Sequence, residues 1–235
     1  MIDKIYRSIF AKSGEALESL MVHPDLCREF TKAHNNSADL RLLEKFVESR
    51  VELQIFKLAV IEYHHALYSV SIAHYRQGYF SLRLFLELSL CCVLFSAHEI
   101  DSHIWLKGKK DTNWQSIISN ENGVFSKNFI KAFFDEMGEY AEQYHVLAAK
   151  VYRECSEFVH GNPTSFIGIE GEIAFSEELL RIWLERAQTV QRVVKFAFLC
   201  RFLKVTPTNK RGSFEDLLLT DFSEMAPLIA ALQEN

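Results

Sequence analysis

The chain predicts an all-α fold, an elongated helical bundle with at most one small β-hairpin. Its 235 residues include nine glycines and four prolines, too few breakers for the many turns that short strands need. Hydrophobic residues make up 49% of it and recur at helical spacing over long stretches, enough to bury a sizeable core. The five cysteines, Cys27, Cys91, Cys92, Cys155 and Cys200, have no paired spacing. They read as small core residues in a reducing cytosol, not as a disulfide framework or a zinc site.

A first helix is expected over residues 5–21, stopping near Pro24, followed by a polar, turn-like stretch at 31–37. Residues 1–38 thus form an N-terminal helix and linker, and 39–205 the main bundle. In the bundle Asp39 opens a helical stretch from Arg41 to near Tyr75, as one helix or as two with a break near Tyr63. Gly78 marks a joint before an apolar helix over 79–97. Residues 98–123 are more polar and hold the basic loop Lys107-Gly108-Lys109-Lys110, flanked by Trp105 and Trp114. A second long helix spans 125–160, loosened at Gly138 and stopped by Gly161-Asn162-Pro163. Segment 166–175 is the strand candidate. Ser176-Glu177-Glu178 then starts an amphipathic helix over 178–205, and 206–235 form a C-terminal helical extension.

The N-terminus lacks the apolar run of a signal peptide, and the longest apolar run, 84–97, is interrupted by Glu87 and short for a bilayer. A cytoplasmic, soluble protein without a membrane partner is the expectation. A net charge of −5 argues against a general nucleic-acid coat protein but leaves room for a local basic cleft.

The chemistry concentrates in Tyr152-Arg153-Glu154-Cys155-Ser156-Glu157-Phe158-Val159-His160-Gly161. Seven residues of helix turn through about 700°, so Arg153 and His160 share a face with Ser156 between them. With Tyr144 as origin, Ala148, Val151, Cys155 and Phe158 fall within roughly 40° of one core line. Glu142, Arg153, Ser156 and His160 lie roughly 120° to 180° away, towards solvent, a cleft or a second subunit. A guanidinium that holds phosphate and an imidazole that moves a proton at neutral pH are what RNA cleavage needs without a metal. The plain alternative is a solvated face whose histidine meets the helix C-terminus favourably.

Other constellations compete. Arg83 and Glu87 sit one turn apart in an otherwise apolar helix and need partners. They form either an internal ion pair or part of the cleft that holds Arg153 and His160. Glu62-x-x-His65 and Glu142-x-x-His145, with Glu87, approach the ligand set of a di-iron bundle, its fourth ligand open among Glu29, Glu44 and Glu48. Lys107, Lys109 and Lys110 with the flanking tryptophans would meet an RNA backbone and stack a base, or form an anchored solvated loop. There is no Gly-rich phosphate loop, Gly-x-Ser-x-Gly elbow or Cys-x-x-Cys.

An arginine, six residues and a histidine near the end of a long helix in an all-helical domain resemble the HEPN superfamily, as does the wording from Tyr152 to Gly161. The resemblance spans about residues 50–205. It implies a metal-independent endoribonuclease of bacterial stress or phage defence, without cofactor or metal, acting as a homodimer. In toxin–antitoxin fashion it implies a partner antitoxin or sensor. Arg153 would hold the scissile phosphate and His160 would move the proton, supported by Ser156, Tyr152, Arg83 and Glu87. Members that bind without cutting imply the alternative, a non-catalytic helical dimer that recognises a protein or a nucleotide. Catalytic members often carry a small polar residue directly after the arginine, where this chain has Glu154. A carboxylate there is compatible with a phosphate site only if it points away. Seven residues also rise about 10 Å, too far for both side chains of one helix to grip one phosphate, so two antiparallel copies are needed.

Overall fold

The structure, a computed structural model, describes residues 2–159 and 173–233. In chain order the helices are α1 (Ile2–Val22), α2 (Pro24–Val47), α3 (Leu53–Ser71), α4 (Tyr75–Phe95), α5 (Glu99–Leu106) and α6 (Trp114–Ile117). They continue with α7 (Lys127–Phe133), α8 (Ala141–Val159), α9 (Glu177–Phe202), α10 (Thr208–Arg211), α11 (Glu215–Asp221) and α12 (Ala226–Gln233). The fold is all-α, with no strand among the described residues. Residues 166–172 of the expected hairpin lie outside them, and 173–175 have no regular structure.

Several boundaries differ from the sequence reading, each for a local reason. Pro24 starts α2, because its fixed φ suits the first helical turn and its missing N–H costs nothing there. The turn expected at 31–37 is helix: Thr31 bonds back to the Cys27 carbonyl at 2.7 Å, and Ala33 and Ser37 face the core. Tyr63 marks no break; it is fully buried in α3 and donates to the Ala33 carbonyl at 2.5 Å. The real break lies between Val47 and Leu53. There the fully buried Glu52 carboxylate takes Arg50 Nε and Ser102 Oγ, each at 3.0 Å.

Gly78 is no joint. It lies inside α4, where a Cβ would fall 2.3 Å from Val70 Cγ1, so its bare backbone lets α4 close on α3. The joint is at Ala73, with φ of 60°. The long helix expected from 125 is interrupted: Ser126 caps α7 by accepting from the Phe129 N–H at 3.1 Å, and a 3₁₀ turn (Asp135–Tyr140) precedes α8. Ser176 starts α9 as expected, its hydroxyl accepting from the Leu179 N–H at 3.3 Å.

At the centre α4 packs against α3, α8 and α9, while α9 also packs on α2. Full burial of each Leu or Phe here stabilises the fold by about 1.5–3 kcal/mol. With Arg83 and Glu87 as its charges after Arg76, α4 is long and apolar enough to cross a membrane, and 78% of its most apolar window is buried in the bundle, as in a core helix. The stretch is longer than residues 84–97 suggested because Tyr75, Tyr79 and Leu82 extend it upstream. The C-terminal helices close on the body through Arg211, which donates to the carbonyls of Lys204, Thr206 and Ala231, each at 2.9 Å.

Candidate functional site on the outer face of α8

Periodicity places the α8 side chains as the sequence predicts. Tyr144, Ala148, Val151 and Cys155 are 0–1% exposed, and Tyr144 stacks on Phe196 of α9 at 3.5 Å. Phe158 is half-buried and stacks on Tyr79 of α4 at 3.8 Å. That stripe fixes the rotation of the helix and so decides what each remaining position meets.

On one flank Tyr152 lies between α4 and α6. Its ring stacks on Trp114 at 3.7 Å with the planes 3° apart, and its hydroxyl accepts from Arg83 Nη2 at 2.5 Å. Burial pushes the Tyr152 phenol up, opposed by the Arg83 guanidinium, so it remains neutral at physiological pH. The Arg83 Nε is buried and unpartnered. One turn on, Glu87 accepts from Thr112 Oγ1 at 2.7 Å. The i,i+4 ion pair weighed from the sequence therefore does not form: Arg83 reaches for α8, and Glu87 for the segment before α6.

On the opposite flank Glu154 turns towards α9. Arg186 Nε lies 3.3 Å and Lys150 Nζ 3.9 Å from its carboxylate. Successive helical residues differ by about 100°, so the neutralised carboxylate points away from Arg153.

Between these flanks is the outer face. Arg153 is exposed, with no hydrogen bond or ion pair to any described residue. Ser156 is half-buried, and its hydroxyl bonds back to the Tyr152 carbonyl at 2.7 Å. His160 lies outside the described residues, directly after Val159 in sequence. The structure thus gathers Arg83, Glu87 and Tyr152 into one polar seam and leaves Arg153 on the neighbouring open surface.

Sequence reasoning missed Thr112 and the role of Trp114. Asn113 accepts from the Gln115 and Ser116 N–H groups at 2.9 and 3.4 Å and so caps α6, with Trp114 in its first turn. Nothing local in the sequence announces the stack with Tyr152.

The other constellations resolve differently. Lys107 and Lys109 are exposed, while Lys110 pairs with Asp101 at 2.6 Å and lies over the Phe95 ring. Trp105 lines a groove with Leu53, Leu58 and Leu106, and Trp114 is taken up by Tyr152. The di-iron ligand set is not assembled: Glu62 and His65 face each other at 3.4 Å, Glu142 is exposed and Glu87 is held by Thr112. No group of three or more His, Cys, Asp or Glu is placed to hold a metal among the described residues. No protein-family model, no curated protein and no solved structure matches the chain.

Proposed function

We propose that the outer face of α8 binds RNA and cuts it without a metal, in the manner of a HEPN-like endoribonuclease of bacterial stress or phage defence. The observation that carries this reading is the contrast along α8: Arg153 is exposed and engaged by no described residue, while the adjacent Glu154 is turned to α9 and neutralised by Arg186. A guanidinium that no described residue engages, with the adjacent Glu154 carboxylate turned away from it, suits a phosphodiester. Arg153 grips the scissile phosphate and offsets the charge that builds on its oxygens. His160 takes the proton of the 2′-hydroxyl as it attacks phosphorus, or returns one to the departing 5′-oxygen. The products are a 2′,3′-cyclic phosphate and a 5′-hydroxyl. Because seven residues of helix rise about 10 Å, too far for one chain to grip a phosphate with both, the working site pairs Arg153 of one copy with His160 of another in a homodimer.

The test is RNA cleavage in EDTA by wild type and by His160→Ala, on tRNA and structured RNA. The proposal predicts wild-type cleavage with cyclic phosphate ends and none from the variant. Undiminished cutting by the variant removes the mechanism. Absence of cutting by both, with RNA binding that Arg153→Ala abolishes, assigns the face to a non-catalytic binding role.

A further inference from the structure

The first half of α1 carries an apolar face that none of the described residues covers. Every residue from 2 to 11 is exposed. Among them Ile2, Ile5, Tyr6, Ile9 and Phe10 are 69%, 54%, 65%, 39% and 82% exposed. Ile2, Tyr6, Ile9, Ser13, Ala16 and Leu20 follow the alternating four-and-three spacing of a coiled-coil seam. The last two are 2% and 0% exposed, held against the body, where α1 meets α2 and α3. One stripe therefore serves as core in its second half and stands without a partner among the described residues in its first. The charges lie elsewhere: Asp3 and Arg7 pair at 2.9 Å, roughly 100° and 140° from the stripe.

We infer that the occupant is the same segment of a second copy, packed antiparallel about a two-fold axis. The body sets the direction. A helix lying parallel on the stripe would run into α2 and α3 at Ala16, whereas an antiparallel one ends with its tip before them. The deepest register this allows sets Tyr6 against Ile9 of the partner subunit and Ile2 against Ser13 of the partner subunit, large against small. The tip, the positive end of the helix dipole, then comes down near the exposed Glu15 of the partner subunit. The five exposed apolar side chains present about 600 Å² per copy, close to the ~800 Å² per partner of a stable interface and at the top of what a monomer leaves bare. A lipid surface is the weaker occupant: the seam is narrow, and a chain of net charge −5 is repelled by anionic headgroups. This interface uses α1 and not the Arg153 face, so Arg153→Ala leaves it intact.

Sedimentation velocity of the full chain at micromolar concentration tests it. Wild type sediments at twice the mass of Ile9→Asp, while the far-UV circular dichroism is the same for both. The double variant Tyr6→Cys with Ile9→Cys cross-links between chains on mild oxidation, whereas Lys4→Cys on the outer face does not. A monomeric wild type overturns the inference, as does a dimer indifferent to Ile9→Asp. Pelleting of the wild-type monomer with phosphatidylglycerol vesicles, abolished by Ile9→Asp, overturns it in favour of a membrane role.

Discussion

Two cations in this bundle, one buried and one half-buried, are treated in opposite ways. Lys195 of α9 is 2% exposed, and its ammonium meets Asn36 Oδ1 at 3.2 Å, Asp39 Oδ2 at 2.5 Å and Asp221 Oδ2 at 2.6 Å. Its three donors are spent, and the contacts tie α2, α9 and α11 together. Arg83 of α4 has five donors, spends one on the Tyr152 hydroxyl and keeps a buried Nε without a partner. A closed cluster fixes the register of helices. A half-open one, beside an exposed helix face, keeps capacity to hold something else or to reorient its neighbour.

The largest expected effect tests the closed side. Lys195→Met leaves two facing carboxylates unpaired and costs about 3–5 kcal/mol, a fall of roughly 6–20 °C in melting temperature. Next, Arg83→Met strands the Tyr152 hydroxyl and costs about 1–3 kcal/mol, read by urea unfolding. Equal losses from these two variants would break the distinction between the clusters. Tyr152→Phe keeps the stack on Trp114, loses one hydrogen bond and costs about 0.5–1.5 kcal/mol by the same measurement. Arg153→Ala removes no contact with a described residue and changes stability by less than about 0.5 kcal/mol while abolishing RNA cleavage.

A small pH effect sharpens the picture at the α2–α3 seam, where His64 Nε2 meets Ser37 Oγ at 3.1 Å. Partial burial, then His34, Arg41 and His65, depress its pKa below the ordinary 6.5. The folded state thus disfavours the imidazolium. Stability from this group is full above pH about 6.5 and declines as pH falls through the depressed value, a slope that melting curves show and that His64→Gln removes.

These contrasts also mark what the sequence could express. The core stripe of α8 was legible from 3.6-residue periodicity, because one buried face leaves that imprint whatever the partner. Ser176 was legible because capping is local. Residues 31–37 misled because a polar run along a long, one-sided helix resembles a turn, while the inward positions Ala33 and Ser37 are small and weak signals. The joint at Ala73 carries neither glycine nor proline, so no breaker announced it. The fates of Arg83 and Glu87 depended on Tyr152 and Thr112, distant residues that spacing within one helix cannot supply. The rotation of Glu154 towards Arg186 likewise became visible only once α9 was in place.

The proposed site is shared between two copies, Arg153 from one and His160 from the other. Mixing Arg153→Ala and His160→Ala proteins, each inactive alone, tests it most directly. Random exchange makes half the dimers mixed, each with one intact site, so recovery of about a quarter of wild-type RNA cleavage in EDTA is expected. No recovery, from variants shown to exchange subunits, would contradict it.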